Sequence, residues 1–229
     1  MPSNPRTDVE SGPSEQPVEI TSEISSTPGR KHSQALSPSD YKLRTRIQRI
    51  VGIFLYFQHK GIRKLLRSVA EESDRSGRIA VEVGAGSTSR HKYFSRALYV
   101  SSDFVAREGI SLVESASHLA FRDRSVDLVI CENVIEHVYD PQGLLKETRR
   151  VLRRGGCLFL VTPFLFPLHD VPYDFFRYTE YSLKRLLHDY STVSIHKMLW
   201  LPLPKRLFGR FVLYYVCIAR IDQSEKPDL

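Results

Sequence analysis

A short apolar run followed by two spaced glycines is the feature that most constrains the fold of this chain. Residues 79–83 alternate β-branched side chains, as a buried strand does. Gly84 and Gly86 follow at once, and glycine lets a backbone turn sharply and approach a bound group closely. Glu82 then lies at the carboxyl end of the strand, where open α/β sheets bind their ligands. The segment predicts the first strand and the ligand-binding turn of such a sheet.

Length and composition predict one α/β domain with two preceding segments. The chain has 229 residues, of which 41% are hydrophobic, enough for one substantial core. Residues 1–40 are rich in Ser, Pro, Thr and Glu without apolar periodicity, and they predict a disordered acidic tail. Residues 41–78 predict basic N-terminal helices that cap the domain, with a break at Gly61. The main domain is expected over 79–229.

The basic charge is concentrated in one segment of the chain. The net charge is +7, and residues 41–78 hold ten basic and three acidic residues. Their apolar stripe either covers the core as a cap or contacts an anionic membrane surface or nucleic acid. Nucleic acid is disfavoured because no aromatic-interleaved basic motif accompanies the charge. The sequence has neither the ~20 uninterrupted apolar residues of a membrane span nor the apolar core of a signal peptide.

The three cysteines lie far apart in apolar runs, at Cys131, Cys157 and Cys217. This pattern predicts buried small hydrophobic residues rather than a disulfide framework or a zinc site. We therefore expect a reducing, cytoplasmic setting. We expect no metal, because no metal-ligand spacing is present along the chain.

Beyond Gly77, short β-rich runs alternate with helical patterns, which is typical of parallel strands joined by crossover connections. Helices are predicted over 141–153, ending at Gly155-Gly156, and over 180–189, after the N-cap Thr179. The predicted strands are 79–83, 98–102, 126–131, 157–162, 192–198 and 211–220, with a further short strand around 110–113. A Pro-rich loop between the last two strands favours an antiparallel hairpin. The expected fold is a mostly parallel α/β sheet with an antiparallel C-terminal strand and helices on both faces.

A carboxylate stands at the end of the second predicted strand. Asp103 follows Glu82 by about twenty residues, where a carboxylate can accept hydrogen bonds from both hydroxyls of a ribose. A nicotinamide-binding domain uses a similar pair, but its glycine pattern needs a third glycine where Ser89 stands. The residues therefore favour an adenosyl cofactor over a nicotinamide.

Several ordered blocks carry a family resemblance over roughly half of the chain. The blocks are Val81-Glu-Val-Gly-Ala-Gly86, Asp103, His118-Leu-Ala-Phe121, the run 126–138 and the run 144–163. With them the chain resembles a class I S-adenosylmethionine-dependent methyltransferase of the methyltransferase type 11 family. The resemblance implies a Rossmann-like sheet and S-adenosylmethionine as cofactor. It implies cofactor contacts from Glu82, Gly84, Gly86, Asp103, Ser115, Ala116, Glu132 and Asn133.

Two positions depart from the family pattern. Thr88 stands where many relatives have a third glycine, and Ser115 stands where an aspartate commonly contacts the adenine amine. These departures keep open a non-catalytic relative that acts as a binding or scaffold protein. The intact Glu82 and Asp103 favour the enzyme.

The loop 163–179 sets polar side chains among aromatics and prolines, as a substrate-facing lid would. A histidine there can serve as a base near neutral pH, an aspartate can orient it, and an arginine fork suits a carboxylate or phosphate. The predicted catalytic residues are His169, Asp170 and His137, and the predicted substrate-binding residues are Tyr173, Asp174 and Arg177. Alternatively, Asp174 and Arg177 pair and fix the loop. The expected acceptor is a small molecule, with a sugar or lipid precursor among the candidates.

Overall fold

The computed structural model describes residues 59–87, 89–199 and 212–224. The predicted tail, the first part of the predicted basic helices, Thr88 and the Pro-rich loop lie outside these residues. The strands are β1 (Ile79–Val83), β2 (Leu98–Asp103), β3 (Leu112–Val113), β4 (Val126–Glu132), β5 (Leu152–Pro163), β6 (Thr192–Leu199) and β7 (Val212–Arg220). The helices are α1, which covers 59–73, α2 (Pro141–Val151) and α3 (Glu180–Leu186), and two 3₁₀ turns cover His91–Tyr93 and Ile135–His137.

The strands form one mixed sheet in the order β3-β2-β1-β4-β5-β7-β6. The pairs of β1 with β2 and β4, of β2 with β3, and of β4 with β5 are parallel. Strand β7 lies between β5 and β6 and is antiparallel to both. The predicted fold class and the antiparallel pairing of the last two strands are therefore confirmed.

The core has two parts, one on each face of the sheet. On one face Ile62 and Leu66 of α1 pack with Leu128 of β4. On the other face Leu144 of α2 packs with Val129, the next residue of the same strand. Because successive side chains of a strand point to opposite faces, a strand covered on both sides reads as a continuous apolar run. The apolar side of 59–70 is thus part of the core.

The predicted break at Gly61 is wrong, because α1 runs through this residue. A Cβ at Gly61 would lie 3.2 Å from the sulfur of Met198 on β6. The glycine therefore allows the helix to approach the sheet closely, and it does not end the helix.

Helix α2 shows one correct and one wrong boundary. Asp140 caps its N-terminus by accepting a hydrogen bond from the Gly143 amide at 2.9 Å. The predicted end at Gly155-Gly156 is wrong, because the helix ends at Val151 and the chain enters β5 directly. The two glycines lie inside β5, where the pairing with β4 shifts register and Gly155 has φ +70°. Glycines are common at such irregularities of a strand.

Helix α3 begins after the predicted N-cap Thr179, which forms a capping box with Ser182. It ends at Leu186, three residues before the predicted end. The three cysteines are free and buried, as predicted. Among the described helices, none combines the length and the apolar character that crossing a membrane requires.

Candidate active site

The carboxyl ends of the parallel strands β1 to β5 meet at one edge of the sheet. They place Glu82, Asp103 and Glu132 on neighbouring strands. In its described residues, the connection from β1 to β2 contains a 3₁₀ turn and no α-helix. Gly84 has φ +67°, and a Cβ there would lie 2.4 Å from Cγ2 of Val134. The loop after β1 therefore packs directly on the loop after β4.

Asp103 ties the glycine turn to the end of β2. Its carboxylate accepts hydrogen bonds from the amides of Gly86 at 2.8 Å and Val105 at 2.9 Å. The Arg107 guanidinium lies 3.1 Å away. The Asp103 side chain is nearly buried. The surrounding loop amides therefore hold the carboxylate that is predicted to bind the ribose in a fixed orientation.

Ser115 and Ala116, the predicted adenine contacts, follow β3, and a backbone hydrogen bond holds this segment beside the end of β2. The Glu114 amide donates to the Asp103 carbonyl at 3.0 Å, and Ser115 comes directly after it. Ser115 and Ala116 are half-buried, and Ala116 packs against the core. This segment therefore forms one wall beside Asp103.

Arg90 joins two of the predicted cofactor residues, and the sequence analysis missed it. Its amide donates to Oε2 of Glu82 at 3.1 Å, and its guanidinium lies 3.5 Å from Oε1 of Glu82 and 2.7 Å from Oε2 of Glu132. The Tyr99 hydroxyl also donates to Glu82. Burial raises the pKa of the Glu82 carboxyl, whereas Tyr99 and Arg90 act in the opposite direction. No motif marks Arg90, because the contact depends on how the loop after β1 folds back.

Asn133 has a strained backbone at the end of β4. Its φ is 55°, in the left-handed region, where asparagine is more frequent than most residues. Its amide donates to the Val161 carbonyl at 2.9 Å. Its side-chain oxygen is buried, and no hydrogen-bond partner for it is found in the described part of the chain. A buried acceptor of this kind at a sheet edge is a candidate ligand contact.

Two predicted catalytic histidines face each other at the carboxyl ends of β4 and β5. His137 belongs to the 3₁₀ turn after β4, and His169 belongs to the loop after β5. Their Nε2 atoms are 3.1 Å apart, and the rings meet edge to face. Oδ2 of the exposed Asp170 lies 3.9 Å from Nε2 of His137. The fold thus brings the three predicted catalytic residues together.

Glu136 belongs to the same cluster and was missed by the sequence analysis. Its side chain is fully buried, and Oε1 lies 3.9 Å from Nε2 of both His137 and His169. Burial raises the pKa of this carboxyl to about 8. Its backbone carbonyl accepts from the amides of Phe175 at 2.9 Å and Phe176 at 3.2 Å. The turn after β4 therefore anchors the loop after β5.

Asp174 and Arg177 fasten that loop from within. Arg177 donates to Oδ2 of Asp174 at 2.7 Å and to the Pro167 carbonyl at 3.3 Å. The same carboxylate accepts from the His169 amide at 3.0 Å, and its hydrogen bond from Arg177 holds its pKa well below the usual range. Tyr173 is 65% exposed on the outside of the loop. The described contacts of the Asp174–Arg177 pair position His169, while their contact with a substrate stays a prediction.

Two sequence comparisons match this region. A family model described as a methyltransferase domain matches residues 81–160. An uncharacterised methyltransferase of Mycobacterium sp. (strain KMS) is 35% identical over 107 residues, which are 42% of this chain and 42% of that protein. The matched part is thus less than half the length of the curated relative.

Two solved structures are similar in fold. A SAM-dependent methyltransferase from Archaeoglobus fulgidus has a TM-score of 0.51 and 15% identity, covering 71% of this chain and 93% of its own. The 1,6-didemethyltoxoflavin-N1-methyltransferase of Burkholderia thailandensis, solved with bound 1,6-didemethyltoxoflavin and S-adenosylhomocysteine, has a TM-score of 0.50 and 17% identity. That match covers 82% of this chain and 92% of the other. At these identities the likeness concerns the fold.

Proposed function

We propose that this chain, whose residues 81–160 match a methyltransferase domain, is a class I S-adenosylmethionine-dependent methyltransferase that moves a methyl group from S-adenosylmethionine to a small-molecule acceptor. The observation that carries the proposal is the meeting of Glu82, Asp103 and Glu132 at the ends of three adjacent strands. Glu82 and Glu132 would lie near the positive sulfonium and share Arg90 as a counter-ion, so one negative charge of the pair remains to attract the sulfonium.

The cofactor would lie along the edge formed by β1, β2 and β4. We assign the ribose hydroxyls to Asp103, the methionine end to Glu82 and the glycine turn, and the adenine to the wall at Ser115 and Ala116. Glu132 and Asn133 would face the sulfonium. The unpartnered side-chain oxygen of Asn133 supports a cofactor contact at this place, because a donor group of the cofactor, such as its ammonium, would supply the hydrogen bond that this oxygen lacks.

The acceptor would lie between the cofactor and the loop after β5. In methyl transfer a lone pair of the acceptor attacks the methyl carbon while the carbon–sulfur bond breaks, which turns the sulfonium into a neutral thioether. An oxygen or nitrogen acceptor also gives up a proton. We propose that the pair His137 and His169 takes this proton, with Asp170 at its exposed side and Tyr173 at the entrance. A sugar or lipid precursor fits the mixture of polar and aromatic groups on this loop.

The competing function is a non-catalytic protein that keeps the fold for binding. Titration of the full-length protein with S-adenosylmethionine and S-adenosylhomocysteine separates the two. We expect micromolar or tighter binding that Asp103→Ala abolishes. Asp189→Ala, which removes an exposed carboxylate after α3, is the matched control and should bind both compounds normally. A folded wild-type protein that binds neither compound would refute the enzyme.

A second comparison tests the acceptor side. In a screen of small-molecule acceptors with detection of S-adenosylhomocysteine, His169→Ala should lose methyl transfer while it keeps cofactor binding. Equal loss of cofactor binding would show that the histidine supports the fold or the cofactor site instead.

We also propose that α1 contacts an anionic surface. Lys60, Arg63, Lys64 and Arg67 are exposed at helical spacing on the side of α1 opposite its buried face. Sedimentation with anionic vesicles should show binding that salt and the pair Arg63→Glu/Arg67→Glu reduce, and neutral vesicles should not bind.

The unpaired cysteines support a reducing, cytoplasmic compartment.

A further inference from the structure

We propose that Glu136, His137 and His169 bind one divalent transition-metal ion, with Zn²⁺ as the reference ion. The three ligand atoms converge: the two Nε2 atoms are 3.1 Å apart, and each is 3.9 Å from Oε1 of Glu136. Ligands bound at about 2.0–2.2 Å from a common ion lie about 3–4 Å from one another. The inference goes beyond methyl transfer and does not depend on it.

The outer nitrogens of both rings face groups that can only accept a hydrogen bond. Nδ1 of His137 lies 2.9 Å from the Tyr173 carbonyl. Nδ1 of His169 lies 3.2 Å from the carboxylate of Asp174 and 3.3 Å from the Pro167 carbonyl. Each Nδ1 therefore carries its hydrogen, and in the neutral rings each Nε2 presents a lone pair.

Two lone pairs that face each other at 3.1 Å repel unless a cation lies between them. Carbonyl and carboxylate partners on the outer nitrogens are also the arrangement that orients histidine ligands of metal ions and raises their basicity. The pair is therefore prepared to donate electrons to one shared centre.

Glu136 gives an independent reason for a cation at this place. Its side chain is 0% exposed, and within the described residues no well-aligned hydrogen bond reaches either carboxylate oxygen, although the Thr162 hydroxyl is close enough to lower the pKa of this carboxyl. A buried carboxylate with so little hydrogen bonding is costly to ionise, and metal coordination is one of the ways in which proteins compensate such a charge. The oxygens are thus available to the same centre that the two histidines face.

The ligand set matches a site that keeps open coordination positions. Two histidines and one carboxylate form known zinc and iron centres, in which the remaining positions hold water or substrate. The exposed Asp170, 3.9 Å from Nε2 of His137, stands beside these positions. With an ion bound, the two Nε2 lone pairs can no longer take a proton, so the role proposed above for the metal-free histidine pair would pass to the ion. In the proposed methyl transfer the ion would bind an oxygen or nitrogen of the acceptor and make its proton easier to lose. The sequence predicts no metal here because His169 lies 32 residues from its partner.

Metal binding is tested directly on the full-length protein after removal of metals with a chelator. Calorimetric titration with Zn²⁺ and visible absorption with Co²⁺ should both show one equivalent bound with micromolar or tighter affinity. His137→Ala and His169→Ala should each weaken binding by about 100-fold or more, because loss of an outer partner alone typically costs about 10–100-fold. His188→Ala, which removes an exposed surface histidine, is the control and should bind like wild type.

Glu136→Gln removes the carboxylate but keeps the size of the side chain, so a change in metal binding by this variant would not come from a cavity that unfolds the protein. Zn²⁺ should raise the melting temperature of wild type and of His188→Ala, and it should raise that of Glu136→Gln much less. A folded wild-type protein that binds no Zn²⁺ and no Co²⁺ would refute the metal site and leave a shared proton between the histidines. Equal binding by wild type and both alanine variants would refute it as well. Titration of the same samples with S-adenosylhomocysteine reports the cofactor site separately.

Discussion

Gly84→Ala is expected to be one of the most destabilising conservative changes in the glycine turn after β1. The φ of +67° places an alanine in the left-handed region, at a cost of about 1–2 kcal/mol. The new Cβ would also lie 2.4 Å from Cγ2 of Val134, and relief of such overpacking typically costs about 1–3 kcal/mol. The free energy of unfolding should therefore fall by about 2–5 kcal/mol.

Gly86→Ala is the matched control for the backbone contribution. Its φ of +58° is similar, but a Cβ there meets nothing within 4 Å. Only the backbone cost of about 1–2 kcal/mol should remain. The difference between the two variants then measures the contact between the loop after β1 and the loop after β4.

Val134→Ala completes the test. It removes both Cγ atoms and leaves the Val134 Cβ at 3.5 Å from the added methyl group, an ordinary contact. Adding Gly84→Ala to this background should cost about as much as Gly86→Ala does. Urea unfolding of the four variants and wild type gives the free energies, provided that the m-values agree. If Gly84→Ala is no less stable than Gly86→Ala, or if Val134→Ala rescues nothing, the packing argument is wrong.

Three further outcomes follow from the described contacts. Asp140→Ala should lower the free energy of unfolding by about 1 kcal/mol in urea, because α2 loses its N-cap. Amides of Ala97 and Arg96 lower the pKa of Asp74 below 3.8, so this carboxylate stabilises the fold above that pH and the contribution disappears as pH falls through the folded pKa. Acid unfolding of Asp74→Asn should accordingly depend less on pH than that of wild type. Burial raises the pKa values of Cys157 and Cys217 to about 12, so a thiol reagent should react quickly with the three cysteines only after denaturation; rapid labelling of the native protein would contradict the burial.

The sequence predicts the elements whose local pattern and tertiary environment agree. Residues 128–131 of β4 form a continuous apolar run because both faces of the strand are covered, and α3 starts where Thr179 supplies a cap. The errors at Gly61 and at Gly155-Gly156 have one cause. Glycine disfavours the interior of a helix by its own propensity, but here it permits a close helix–sheet approach or an irregular strand. Only the packed structure distinguishes these uses.

The candidate site likewise contains residues that the sequence predicts and residues that it does not. Glu82 and Asp103 are predictable, because each lies at the carboxyl end of a strand and the carboxyl ends of parallel strands meet. Arg90 and Glu136 are not, because their roles come from contacts between loops. The pairing of His137 with His169 also depends on how the loop after β5 folds onto the turn after β4. Both histidines stand in polar motifs, which marks them as candidates but not as neighbours.

The position of β7 has a consequence for the order in which the protein can be assembled during translation. The ribosome makes β6 before β7, yet among the described strands β6 pairs with β7 and β7 pairs with β5. Until Val212–Arg220 leaves the exit tunnel, β6 has no neighbour and the side of β5 that will receive β7 is an open edge. Unpaired edges invite association with other chains. A nascent chain that stalls after β6 would therefore be a client for chaperones, although most of its sheet has already been synthesised.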